Sequence, residues 1–147
     1  MSMREATLDD IETLFELRRI AEEDLRLGDD SEELERSRME ADVINDRGCC
    51  LVYEVDGKSE GFIYAQHLEQ DDKKIVRIRY LYVNPEHRKG VGLTLYRQLE
   101  ATLKRKGYDP ITFGTRHDNR VKIMGKYFGF KFLETLEPLD FYIKSLQ

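Results

Sequence analysis

The sequence predicts a mixed αβ fold, one domain over residues 1–147, with a central, mostly antiparallel twisted sheet of about six to seven strands and about four flanking helices. Apolar segments follow one another in the order β-α-α-β-β-β-α-β-α-β-β. Tight-turn signals at Asp56-Gly57 and Asp71-Asp72 join the middle strands into a meander. A strand ending at Val83, a helix from Val91 and a further strand from Ile111 make one clear strand–helix–strand crossover.

The first strand is short, around Met3 to Ala6. Thr7 with Asp10 three residues on is an N-cap signature, and Leu8, Ile11, Leu14 and Phe15 give the first helix its apolar stripe. That helix ends before Gly28. Ser31 caps a second, with Leu34, Ala41 and Ile44 on one face. Strands follow over Cys49 to Val55, Phe62 to Leu68 and Lys74 to Val83. In the last of these, plain alternation puts Arg77 and Arg79 on one face and Tyr80 and Tyr82 on the other. Val91, Leu95, Leu99 and Leu103 recur every fourth residue, and Gly107 marks the end of that helix. Ile111 to Gly114 reads as a strand, residues 119–128 as a fourth helix, and Phe130 to Leu133 with Leu139 to Ile143 as a closing pair around Pro138.

Composition narrows the function. No apolar run approaches the ~20 residues of a membrane helix, and the first residues lack the apolar core of a signal peptide, so a cytoplasmic protein that does not engage a membrane is expected. A net charge of −5 argues against nucleic-acid binding and mildly favours a cationic substrate. Cys49 and Cys50 are adjacent, which is neither a metal-ligand spacing nor a disulfide framework; they read as core residues, with no metal expected.

The chemistry is concentrated in Leu81-Tyr82-Val83-Asn84-Pro85-Glu86-His87-Arg88-Lys89-Gly90-Val91-Gly92. A strand runs into a basic, glycine-containing loop that opens a helix. Such a loop gathers free backbone N–H groups at the positive end of a helix, the glycines allow close approach, and His87, Arg88 and Lys89 add charge. The pattern suits a phosphorylated ligand. It is not a P-loop, because Lys precedes Gly, and it is not the dinucleotide fingerprint, which needs three glycines near a first strand. A turn without a ligand remains the alternative on this pattern alone.

These residues resemble the acyl-CoA-binding motif of the GNAT superfamily of N-acetyltransferases: a strand ending Leu-x-Val, then Asn-Pro-Glu, then a basic turn with Gly-x-Gly into a helix. Asn119 after the strand Ile111 to Phe113, and Gly129-Phe130 before the next strand, agree with the family. The resemblance implies that the fourth and fifth strands splay apart to admit acetyl-CoA as co-substrate. It implies that the backbone of Leu81, Tyr82 and Val83 holds the pantetheine arm, with one N–H on the thioester oxygen. The pyrophosphate would lie on the N–H groups from His87 through Arg88, Lys89, Gly90 and Val91 to Gly92, and Asn119 would join the cofactor site. The implied reaction is direct acetyl transfer to a primary amine of a small molecule or peptide. Homodimers are common in the family. The competing readings are a non-catalytic acyl-CoA-binding module and an αβ protein for another phosphate ligand.

The sequence departs from the family pattern at three places. His87 stands where Arg or Gln is usual, with Arg88 one residue late. Gly125 stands where a Tyr often serves as acid; Tyr127 lies about 200° around the helix from it and reads as packing ahead of acid. The fourth strand carries no Glu. Tyr127 and His117 are therefore the catalytic candidates, with His67 a further candidate base. Acidic residues from Glu22 to Glu33 favour a cationic acceptor, whereas Arg77 and Arg79 favour one bearing a carboxylate.

Overall fold

The computed structural model describes residues 2–24, 31–87, 89–116, 127–137 and 139–147. Seven strands form one sheet: β1 (Ser2–Glu5), β2 (Cys50–Val55), β3 (Lys58–Gln70), β4 (Lys73–Val83), β5 (Ile111–Arg116), β6 (Lys131–Leu136) and β7 (Leu139–Lys144). Their spatial order is β1-β2-β3-β4-β5-β7-β6. Every neighbouring pair is antiparallel except β4 with β5. The described residues contain three α-helices, α1 (Ile11–Asp24), α2 (Glu32–Ile44) and α3 (Val91–Arg105). The fourth helix expected over 119–128 falls almost wholly outside the described residues.

The hairpin turns follow from their residues. Asp56 and Gly57 have φ of 52° and 77°, and Asp71 and Asp72 have 52° and 62°. Two positive φ values in succession match the right-handed twist of the flanking strands, and Asp and Gly tolerate them best. The β3–β4 hairpin so formed is the longest in the sheet, pairing Gly61 with Val83 at one end and Gln70 with Lys73 at the other.

Helices cover both faces. In α3 the predicted stripe is the buried one: Leu95, Leu99 and Leu103 are fully buried. On the opposite face α1 buries Ile11, Leu14 and Phe15. In α2 the expected apolar face is not the buried face. Leu34 and Ile44 are 43% and 66% exposed, while Glu35, Met39 and Asp42 are buried. Polar partners on the sheet decide this orientation. Asp42 accepts hydrogen bonds from the Tyr64 hydroxyl at 2.5 Å and from Arg47 Nη1 at 2.9 Å. Glu35 Oε1 accepts from Arg79 Nη2 at 2.8 Å and Arg38 Nη1 at 3.3 Å.

The entry to α1 matches its sequence signature. The Asp10 carboxylate accepts the Thr7 N–H at 2.7 Å and two hydrogen bonds from Arg4 at 2.7 and 2.8 Å. Arg4 also contacts Glu54 on β2, so one guanidinium ties the helix start to the sheet.

Two stability measurements follow. Glu35→Ala leaves two guanidiniums facing the hole of a fully buried carboxylate and is expected to cost about 3–5 kcal/mol in equilibrium denaturation; a cost below about 1 kcal/mol would show that α2 is not held by this pair. The Arg4 hydrogen bonds hold the Asp10 carboxyl below the usual carboxylate range. A depressed folded-state pKa stabilises above the unfolded value, near 3.9, and that contribution is lost as pH falls through the folded value. Asp10→Asn should therefore cost about 0.5–2 kcal/mol at neutral pH, and the gap to wild type should close below about pH 4. A gap independent of pH would rule out the charge as its source.

Candidate active site

Among the described residues the sheet opens between β4 and β5. β4 and β5 are laddered only through Val76, Arg77 and Ile78 against Ile111, Thr112 and Phe113. Beyond that point β4 continues to Val83 and β5 to Arg116, which follows β7 instead, pairing Gly114 with Phe141 and Arg116 with Leu139. The parting coincides with a β-bulge. Tyr64 faces Tyr80 and Ala65 faces Ile78, so Arg79 is the extra residue on β4. A bulge bends its strand and re-aims the groups around it.

The bulge also changes which side chains meet. Cross-strand partners point to the same side of a sheet. Arg77 faces Gln66 and Tyr80 faces Tyr64, and Gln66 and Tyr64 are two residues apart, so Arg77 and Tyr80 lie on one face. Arg79 reaches Glu35 of α2 and the Tyr80 hydroxyl accepts from Nε of buried Arg18 on α1 at 2.8 Å, which identifies that face as the one under α1 and α2. Plain alternation had separated Arg77 and Arg79 from the two tyrosines; the extra residue brings them together. Leu81, on the other face, approaches α3 near Gly92.

At the end of β4 the chain is pinned before it turns. Asn84 donates from Nδ2 to Glu60 Oε2 at 2.8 Å and from its backbone to the Glu60 carbonyl at 2.7 Å. A 3-10 turn over Pro85–His87 follows, closed by the His87 N–H on the Asn84 carbonyl at 2.8 Å. The His87 N–H is thus engaged by the turn, and its half-buried ring meets Tyr53 edge-on at 6.1 Å. The N–H groups suited to a phosphate are those that follow. Gly90 caps α3 with φ 76°, in the left-handed region that glycine adopts without strain, and offers no side chain to the helix end. The first turn, through Val91 and Gly92, thus has N–H groups with no intrahelical acceptor. Among the described residues, the nearest atom beyond its own helix that a Cβ on Gly92 would meet is Leu81 Cδ2 at 4.0 Å. Lys89 is exposed beside it. A helix N-terminus of this form fits a pyrophosphate, and the parting of β4 and β5 fits the arm that would lead from it.

The other candidates separate clearly. Arg88, His117, Asn119 and Gly125 lie outside the described residues. Tyr127 is 66% exposed, with its ring 5.5 Å from that of Phe128. His67 sits opposite Val76, before the parting, and its ring nitrogens contact the Tyr108 hydroxyl at 2.7 Å and Glu69 at 3.3 Å, as suits a structural residue. Cys49 and Cys50 are both buried, and burial pushes the Cys49 thiol up to about 12. No group of metal-ligating side chains occurs among the described residues. A cavity of about 390 Å³ opens between β1 and the end of α2, beside Glu5, Asp42 and Arg47; it does not adjoin the loop and carries none of the candidates. Sequence reasoning missed Glu35 and Glu60, both acidic residues buried by partners distant in the chain.

Solved structures share this architecture over nearly the whole chain. PaiA N-acetyltransferase from Thermoplasma acidophilum, in complex with coenzyme A, is 23% identical, with 98% of each chain covered and a TM-score of 0.74. An N-acetyltransferase from Staphylococcus aureus Mu50 is 22% identical, with 99% of this chain and 98% of that one covered and a TM-score of 0.79. Arabidopsis thaliana Naa50, in complex with the bisubstrate analogue CoA-Ac-MVNAL, is 18% identical, with coverage of 98% and 96% and a TM-score of 0.73. These likenesses establish the fold. No curated protein sequence matches. The family model described as the acetyltransferase (GNAT) family matches residues 11–130, which take in the bulged strand, the loop and α3. With most of the chain inside that model, the protein belongs to the GNAT family of acetyltransferases.

Proposed function

We propose that the chain moves the acetyl group of acetyl-CoA directly to a primary amine of a small molecule or peptide, with the opening between β4 and β5 as the reaction site. The observation that carries this reading is the early end of the β4–β5 ladder, at Ile78 and Phe113, beside a helix that starts on a bare glycine. The N–H groups of Gly90, Val91 and Gly92 would receive the pyrophosphate, with Lys89 and Arg88 adding charge. The backbone of Leu81, Tyr82 and Val83 would line the pantetheine arm.

We place the reacting end at the bulge. Four residues separate Val83 from Arg79, about 13 Å of strand. The thioester carbonyl would therefore lie by the backbone of Arg79 and Tyr80, earlier on β4 than the sequence alone suggested. A fixed N–H there stabilises the charge that develops on the carbonyl oxygen. The amine nitrogen bonds to the acetyl carbon, the carbon–sulfur bond breaks, and CoA leaves as the thiolate. Holding the two reactants in one gap supplies a large share of the rate. β4 carries no carboxylate and Glu35 of α2 is fully buried under two guanidiniums, so in this reading the ammonium proton would leave to water.

Acetyl-CoA and CoA, but not ATP, are expected to raise the melting temperature, by about 2.7 kcal/mol of stabilisation at 100 times the dissociation constant. Thiol release with a panel of amines then separates a transferase from a module that only binds. Gly92→Val should fold, because its Cβ would come no closer than 4.0 Å to a described residue beyond its own helix, and should lose most of the CoA-induced shift; an undiminished shift would remove the loop from the cofactor site. Tyr127→Phe should leave kcat nearly unchanged. A drop of about 10²-fold at constant CoA affinity would instead identify Tyr127 as the general acid.

A further inference from the structure

Arg77 occupies an unusual place on the face under α1 and α2. It is the middle of the three β4 residues laddered to β5, one residue before the strands part. Its guanidinium lies over the Phe141 ring, 5.1 Å from the centroid. That ring in turn lies across Gly114, where a Cβ would come within 2.7 Å of it. The bare glycine lets an aromatic floor extend over β5 where the gap begins. Arg77 Nε is buried and has no hydrogen-bond partner among the described residues. No hydrogen bond or ion pair from Arg77 to a carboxylate occurs among the described residues, whereas its neighbour Arg79 is paired with Glu35. Arg77 is half-buried, and burial and then the charge of Arg79 push it below its ordinary value.

A buried donor without an acceptor is rare in native structures, and an acceptor brought by a ligand is one way to complete it. The planar fork of a guanidinium, supported on an aromatic ring, fits a carboxylate through two parallel hydrogen bonds. The cofactor is not the source of that anion. Six residues, about 20 Å of strand, separate Arg77 from Val83, where the phosphate loop begins. Building on the acetyl-transfer reading above, we infer that Arg77 is a specificity residue that binds a carboxylate of the acceptor, so that the acceptor is an amine bearing a carboxylate, such as an amino acid, rather than a polyamine or simple alkylamine. Bound there, the carboxylate is held on the far side of the bulge from the phosphate loop, leaving the amine of the same molecule to face the gap.

The test uses the full chain with acetyl-CoA and follows thiol release. Amino acids are compared with their decarboxylated amines, and spermidine is included. The expected result is a kcat/KM at least about tenfold higher for carboxylated acceptors, the scale of a charge-assisted pair. Arg77→Gln should collapse that ratio towards one, mainly through KM, while the CoA-induced rise in melting temperature is retained. Arg77→Lys, which keeps charge and much of the packing, should restore part of it and guards against a variant that fails to fold. Turnover of spermidine or alkylamines with no advantage for carboxylated amines would overturn this inference and leave the transferase standing. CoA binding without turnover of any carboxylated amine would overturn it as well. Absence of CoA binding would overturn the acetyl-transfer reading on which it rests.

Discussion

The pairing of Glu35 with Arg79 joins the two halves of the architecture. Glu35 belongs to α2 and is fully buried; Arg79 is the bulged residue of β4. A carboxylate withdrawn from water is stable only with its charge matched, so α2 must lie where Arg79 of β4 can reach it, with Arg38 of α2 itself as the second partner. That position also lets Asp42, two turns along, receive the Tyr64 hydroxyl from β3. The same residue that fixes the helix marks the end of the ladder between β4 and β5. The opening is thus supported on one side by a charge pair and on the other by the apolar stripe of α3.

The elements that were legible in the sequence are those whose cause is local. The turns at Asp56-Gly57 and Asp71-Asp72 need positive φ, and the residues present tolerate it. The four-residue spacing from Val91 to Leu103 states its own burial, and Gly90 takes the positive φ that opens α3. What sequence missed is set at a distance. Leu34 and Ile44 looked like the inner face of α2, but Glu35 and Asp42 went inside because β3 and β4 offered them hydrogen bonds. Alternation placed Arg77 opposite Tyr80, and one extra residue reversed that. No local pattern shows that the His87 N–H would be spent on Asn84, or that Asn84 would be held by Glu60.

Rigidity is distributed to suit an opening in the sheet. The end of β3 near the gap is clamped by Glu60 on Asn84, and Gly61 lets β3 approach β4 closely, since a Cβ there would lie 2.8 Å from the Tyr82 carbonyl. Towards the other end, Asp42 gathers Tyr64, Arg47 and the His67 N–H. The Tyr64 phenol is pushed far above its ordinary value by burial and by that carboxylate, so it remains a donor across the physiological range. Both ends of β3 are thus tied down, which allows β4 to give up the remainder of its ladder to β5 without the hairpin loosening.

The two cysteines acquire a meaning from the thioester chemistry proposed for the chain. A thioester is an acyl donor to any thiolate that reaches it, and in the proposed reaction the CoA thiol released at each turnover could exchange with accessible disulfides and sulfenic acids. Cys49 and Cys50 are withdrawn from both reactions: neither is exposed, and burial raises both thiols well above neutrality, so the reactive thiolate is scarce. The chain holds no other cysteine. For the proposed acetyl transfer, burial therefore disfavours an acyl-cysteine relay through either residue, in keeping with direct transfer to the amine.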